Sequence, residues 1–564
     1  MWSMKSLLKI VQPHQRSLLL LFATWGIYFI VLFTRMIQVK PDGFYVGHEN
    51  LWSDWALHIG MANIFAYKDP QYWFAYHPMY AGGKLTYPFL TNLISGMLMR
   101  AGCSIYVAFI IPSIIYSLLL ITGMYTLFYI VFKSQKQSII AIFSFFLSSG
   151  MGFIGFLQGF FNHPTMAMWL YPPKQYSQVE SYGWYTGNVA VGMLLPQRAF
   201  LLGMTLAVWA MAGLIYVLLK EKPAEKSDRL ILLICGILAG LLPIIHAHSF
   251  IVTVIVTGLL CLVLYKKWRT WFYYAIPAGL ISITLYLTFV SGGIQNQNFM
   301  QWLPGWNARG GLLDWITMWL KFWGVMIPVA IFGGVLIRKQ PLVVKTFFLS
   351  FFIIFALGNL ILFQPTHWDN SKLFLWAYFG FSGLAAAVLV WSWEKGGKRI
   401  SRLDATLLAI LLMFTGALEL IRLQRVDRNQ LQLTSTEDVR LGEEIRQKAG
   451  PLEIFLTAPI HNHPVTVWGV RPILMGYPEW VRNYGFLYQQ RQQDVAVMFQ
   501  GGIVAEELLR QYHVSYVAIG PSERHDLRVN EAYFAKNYPV AFRNQNYRIY
   551  DVRSLLNQTR TPSL

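Results

Sequence analysis

Asp54 and His58 stand four residues apart in Trp52-Ser53-Asp54-Trp55-Ala56-Leu57-His58, a spacing that puts a carboxylate and an imidazole one turn apart on the same face of a helix. Such a carboxylate can take a proton from a hydroxyl while the imidazole orients it. Arg198 follows Pro196-Gln197 at a helix start, where backbone N–H groups already favour an anion. His246-Ala247-His248 follows Pro243 between two apolar runs, and two histidines in an extended turn can share a metal if a third ligand joins them. The run His367-Trp368-Asp369-Asn370-Ser371-Lys372 precedes another apolar stretch, and His77, Lys84 and Arg309 with Asp314 are further polar groups among apolar ones. Each has a plain alternative. Ser53 or Asp54 serves as a helix cap, His58 as a hydrogen-bonded core histidine, Asn370 and Ser371 as caps, and Arg198 and Lys372 as cations reaching for an interface.

The elements that must hold these groups are membrane helices. At 55% hydrophobic and 13% charged residues over 564 positions, the chain has more apolar sequence than a soluble domain can bury. Runs long enough to span a bilayer fall at Ser17 to Thr34, Ser104 to Phe132, Ser138 to Phe161, Gln197 to Leu219, Leu230 to Ile245, Ser249 to Tyr265, Thr270 to Val290, Trp315 to Ile337, Val343 to Phe363, Ser371 to Trp393 and Leu403 to Ile421, eleven in all. Tyr87 to Met99 follows Pro88 and is too short to cross, so it reads as an interfacial or re-entrant helix. The run Ser17 to Thr34 lacks a small-residue cleavage site after it and reads as an uncleaved signal anchor.

A net charge of +19 suggests nucleic acid until its distribution is followed. Lys5, Lys9 and Arg16, then Lys133 with Lys136, Lys220 to Arg229, Lys266 to Arg269, Arg338 to Lys345 and Lys395 to Arg402 fill every second connection. Basic flanks favour the cytoplasm, which puts the N-terminus inside and the C-terminal stretch outside, in a multi-pass protein of the cell membrane. Nucleic-acid binding drops to a remote alternative. The three cysteines form no CxxC pair and imply no structural zinc or disulfide framework. Beyond Ile421 the composition turns mixed, and residues 422–564 are expected to form a small extracytoplasmic α/β domain. Its strands are expected at Glu453 to Thr457, Val465 to Trp468, Val514 to Ile519 and Tyr547 to Val552, and its helices at Thr436 to Lys448 and Ile503 to Gln511. Residues 1–421 form the membrane domain, with a long first outside loop over 35–102.

On this topology the acids, imidazoles and unmatched cations collect on the outer side: Glu49, Asp54, His58, His77, Lys84, His163, Arg198, His246, His248, Arg309, Asp314, His367, Asp369, Asn370 and Lys372. Ionisable groups near membrane depth are costly and mark sites. A lipid-linked phosphate donor accounts for them, with Arg198 and Lys372 holding the phosphate and a carboxylate taking the proton of an acceptor hydroxyl. Replacing either cation by Gln is then expected to weaken donor use without unfolding the chain.

The uncleaved first helix, the long first outside loop with an acid soon after that helix, the many spans and the outside C-terminal domain resemble the GT-C glycosyltransferases. These use polyprenyl-phosphate-linked sugars. The likeness covers the architecture of roughly the first 420 residues; at the level of residues it rests on Trp52 to His58, on Phe74-Ala75-Tyr76-His77-Pro78 and on Tyr87-Pro88. It implies a GT-C-like polytopic helical fold, a hexosyl or pentosyl transfer from a lipid-linked donor to a glycan or protein acceptor in the cell envelope, and Asp54 as catalytic base or metal ligand. Many members carry two adjacent acids, whereas Asp54 stands alone with Glu49 and Asp69 nearby, so a divalent metal is left open. The C-terminal half also resembles bacterial multi-span membrane proteins of unassigned activity.

Two other readings compete with the transferase. A transporter or flippase of a lipid-linked saccharide also needs outer cations, but it places its site on broken helices, often in repeated halves, and the sequence shows neither. A non-catalytic assembly subunit would display the α/β domain and tolerate any change at Asp54.

Overall fold

In a computed structural model, residues 14–185, 187–221, 224–296, 298–395 and 399–557 are described; the expected inside cations Lys5, Lys9, Lys222 and Lys398 lie outside them. Among the described residues, eight helices are long and apolar enough to cross a membrane: Gln15–Phe33, Ile105–Phe132, Arg198–Leu218, Lys226–Ile244, Tyr265–Val290, Leu342–Leu360, His367–Glu394 and Arg402–Leu423. This is a multi-pass membrane architecture. The other three expected spans are helical but shorter or interrupted. Ala247–Val263 has 17 residues, and Gly311–Trp323 turns by 85° into Met326–Lys339 at Gly324, whose φ of +57° suits a glycine.

The segment Ser138 to Phe161 divides into Gln135–Phe146 and Phe153–Asn162. The cause is Ser148-Ser149-Gly150-Met151-Gly152, and the backbone groups it frees find other partners, as they must in an apolar medium. Asn188 Nδ2 donates to the carbonyls of Phe146 and Ser148 at 2.9 and 3.1 Å. Thr415 Oγ1 donates to Gly150 O at 2.7 Å and accepts from Phe153 N at 2.9 Å. Among the described residues there are therefore two interrupted helices, which the sequence did not suggest; the first is made good by residues far along the chain.

Two units divide the chain. The first gathers Met1–Arg35, Ile111–Leu287 and Met300–Arg428, and the second Met36–Ile110, Thr288–Phe299 and Asn429–Leu564. Residues 36–102, expected as a loop of the membrane domain, are thus grouped with the C-terminal stretch.

In the second unit Gly43–Val46 pairs antiparallel with both Ile37–Lys40 and Leu431–Ser435. A four-stranded sheet runs in the order Ile454–Leu456, Val514–Ile519, Arg548–Asp551, Val540–Arg543; its first pair is parallel and the others antiparallel. Alternate residues of Val514–Ile519 enter two different cores, Val517 and Ile519 in one and Tyr516 and Ala518 in the other, so this strand is covered on both faces. The expected helices Thr436–Lys448 and Ile503–Gln511 are both present. The expected strand Val465 to Trp468 is instead a helical turn, Pro464–Val467: Pro464 sits at its start and His463 Nδ1 accepts from Val465 N at 3.2 Å. The Tyr87 to Met99 segment forms the 11-residue helix Leu90–Arg100.

Candidate active site

Asp54 opens the helix Asp54–Tyr67, with Ser53 as N-cap making no side-chain capping bond. Every residue from Trp55 to Ala66 is buried, so this helix is a core element wrapped on all sides. Asn63 Nδ2 donates to Val467 O at 2.7 Å, and Gly96 of Leu90–Arg100 lets that helix approach so closely that a Cβ there would lie 2.5 Å from Phe65 Cβ. Asp54 itself is only half-buried. The helix thus gives Asp54 a rigid support at an end that reaches solvent. His58 is 1% exposed and its Nδ1 shares a hydrogen bond of 3.0 Å with Asn92 Oδ1; that bond fixes the ring against the neighbouring helix.

His77 and Lys84 belong to the same unit and serve its turns. Met79 N donates to His77 Nδ1 at 3.2 Å, and the ring lies against Tyr484 and Phe486 with centroids 4.6 and 5.5 Å away. Burial pushes this imidazole down to about 3, so it is neutral at any working pH. Lys84 is exposed and donates to Ser291 O at 2.8 Å. His77 supports a prediction. Unfolded, it titrates near ~6.5, so between that value and about 3 the unfolded chain binds the extra proton. Stability should fall as pH drops through this window, by up to about 1.4 kcal/mol per pH unit. His77→Asn, which keeps an acceptor for Met79 N, should flatten the pH dependence of unfolding; equal slopes in both proteins would exclude His77 as its source.

In the spanning unit, several of the expected residues come together. Arg198 is fully buried at the first turn of Arg198–Leu218 and its Nε donates to Ser113 Oγ at 3.2 Å. Five residues on, Gly203 packs so closely on His246 that a Cβ there would meet His246 Cβ at 2.6 Å, and the Phe200 ring lies 5.1 Å from the imidazole. The rings of His246 and His248 are 5.6 Å apart. Ser249 N donates to His246 Nδ1 at 3.1 Å, which leaves the ring proton on Nε2, and the Nε2 atoms of both histidines are buried without a partner among the described residues. Lys372 acts electrostatically on both rings and is ion-paired with Asp369, with only 11% and 6% of the two side chains exposed. Trp376 Nε1 ties the helix of Lys372 to Ser249 Oγ at 3.2 Å. Two imidazoles, a lysine and a carboxylate thus share one buried neighbourhood beside the helix of Arg198.

Asn370, His367 and Arg309 do other work. Asn370 Nδ2 donates to the carbonyls of Gly358 and Ile361 at 2.9 and 2.7 Å, and its Oδ1 accepts from Phe363 N at 3.1 Å, so it closes a turn. His367 Nδ1 shares a hydrogen bond with Asn307 Oδ1 at 2.7 Å. Arg309 is exposed, and its backbone N–H donates to Asp314 at 2.8 Å. Sequence reasoning passed over Ser113, Ser249 and Trp376, whose types carry no signal until the helices are packed. It also passed over Glu419, which is 2% exposed and accepts from Ser177 N at 2.7 Å; an acid inside the apolar run Leu403 to Ile421 was a readable signal. For a divalent metal the donor set is wanting: among the described residues no three of His, Cys, Asp and Glu come together.

The sequence matches no protein-family model and no curated protein. In three dimensions the chain is similar to the apo oligosaccharyltransferase of Archaeoglobus fulgidus, at 12% identity, over 90% of this chain and 70% of that one, with a TM-score of 0.52. ArnT from Cupriavidus metallidurans matches over 96% of this chain and 99% of that one, in the apo state at 13% identity and a TM-score of 0.48, and bound to undecaprenyl phosphate at 11% and 0.46. At such low identity the likeness is one of architecture alone: this chain shares the overall fold of that oligosaccharyltransferase.

Proposed function

We propose that the chain is a membrane glycosyltransferase that moves a hexose or pentose from a polyprenyl-phosphate-linked donor to an acceptor hydroxyl, on a glycan or a protein, at the outer face of the membrane. The observation that carries this reading is the buried neighbourhood of His246, His248, Lys372 and Asp369 beside the helix of Arg198. Ionisable groups buried within a spanning unit are costly and are kept where they meet substrate. Helix starts and imidazole N–H groups favour an anion such as a phosphate, and the fold shared with an oligosaccharyltransferase supports a sugar as the group transferred. In the proposed step Asp54 takes the acceptor's proton as the acceptor oxygen bonds to the anomeric carbon. The bond from that carbon to the phosphate oxygen breaks, and polyprenyl phosphate leaves with the electron pair. Arg198, Lys372 and the two imidazoles stabilise the charge that develops on it, and the sugar inverts.

The two interrupted helices favour a transporter or flippase as the second reading. Membranes from cells lacking the native protein separate the two when given a labelled donor: the transferase releases lipid phosphate and a glycosylated acceptor, whereas a flippase relocates the donor unchanged. An outer-face reaction also requires the C-terminal stretch outside. Cysteines introduced at Asn462 and Gln511 should react with an impermeant reagent in intact cells, and labelling only after permeabilisation would overturn the topology.

A further inference from the structure

Lys68, the C-cap of the helix Asp54–Tyr67, and Arg471 are 9% and 5% exposed and line one small pocket with Ile64, Tyr72, Trp73 and Tyr76. The pocket holds about 10 Å³, room for one water-sized group. Among the described residues no carboxylate lines it. Arg471 spends its hydrogen bonds on the backbone carbonyls of Arg446, Ala449, Gly469 and Val470, which orient the guanidinium without cancelling its charge. Glu453, the acid that acts on it, is itself held by Arg553 at 3.1 Å and by Gly450 N at 2.5 Å. Two more cations flank the site. Arg100 Nη1 donates to Lys68 O at 2.9 Å, and Arg446 lies over the Tyr67 ring at 3.9 Å.

The end of a helix accounts for a lysine, and the carbonyls account for an arginine. Neither accounts for two nearly buried cations lining one pocket with no ion-pair partner among the described residues, an arrangement that an anion would relieve. The geometry points to a phosphate-binding site here, in which one phosphate oxygen enters between Lys68 and Arg471 and the rest of the group rests against Tyr72, Trp73 and Tyr76. Burial and the Arg471 charge hold the Lys68 amine down at about 8, as expected of a cation awaiting its counter-ion. The site is separate from Asp54, since the helix between them has 14 residues and a length of about 20 Å. Arg100 stands five residues before Ile105, the first residue of a spanning helix, so the phosphate can be that of a bilayer lipid headgroup or a free one.

The test uses the full chain in nanodiscs and follows acetylation of Lys68 by peptide mapping at a pH near 8. Inorganic phosphate in phosphatidylcholine discs is one probe, and discs of phosphatidylglycerol are the other. Slower acetylation with inorganic phosphate identifies a free-phosphate site, and slower acetylation only in phosphatidylglycerol identifies a headgroup site. Protection by neither overturns the proposal without touching the transferase reading. Binding of the effective probe should fall about tenfold in Lys68→Gln and survive in Lys68→Arg, since one charge-assisted contact is removed or kept. Undiminished binding by Lys68→Gln would also overturn it.

Discussion

Asp54→Asn is expected to lower the rate of sugar transfer by about 100-fold or more, because it removes the proton acceptor while keeping the size of the side chain. Ser53 caps the helix without a side-chain bond, and Asp54 is the first helical residue, so the variant loses at most about 1 kcal/mol of interaction between its charge and the helix end. The helix behind it is buried from Trp55 to Ala66 and tied at Asn63. The measurement is glycan transfer in membranes from cells lacking the native protein, with folded variant quantified in parallel. Full activity in a well-expressed variant would leave the reaction without its base and favour the transporter or subunit reading.

Lys372→Gln should cost the protein about 3–5 kcal/mol of stability, because it strands the buried carboxylate of Asp369. This revises the expectation that Gln at this position is tolerated: that reading treated Lys372 as a cation facing only its ligand. The double variant Asp369→Asn, Lys372→Gln removes both charges and should recover most of the loss. Thermal unfolding in detergent checks the order wild type, double variant, single variant. If Lys372 also holds the donor phosphate, the double variant folds but needs more donor for half-maximal rate. Unfolding of the single variant at the wild-type temperature would show that the pair is not a buried one.

Local signals were legible and distant ones were not. Thr436–Lys448 and Ile503–Gln511 carry a helical apolar period and polar flanks, and the turn from Ser53 into Asp54 marked its helix. Gly43–Val46 gave no hint of a partner nearly four hundred positions away in Leu431–Ser435, because pairing partners are not encoded within a strand. The Val465 to Trp468 run misled because its β-branched residues were weighed above Pro464, whose missing N–H suits the first position of a helix. Within the site, the approach of His246 to the helix of Arg198 depends on Gly203, whose absent side chain means nothing until the facing residue is known. The pairing of Lys372 with Asp369 was visible as a spacing of three, yet burial alone decides whether such a pair matters.

The interruption between Phe146 and Phe153 bears on how the protein is made. Gln135–Phe146 and Phe153–Asn162 have 12 and 10 residues, each too short to cross the bilayer alone. The carbonyl of Gly150 and the N–H of Phe153 reach their partner only through Thr415, and Gly416 packs against the Leu147 backbone so tightly that a Cβ would lie 2.1 Å from its carbonyl oxygen. Both belong to the last spanning helix. During synthesis, therefore, about 250 further residues must emerge before this early segment can settle, and until then it has to be sheltered by the insertion machinery or by water at the membrane surface. A ribosome stalled before residue 402 would hold a chain whose later helices are inserted while this early pair still waits.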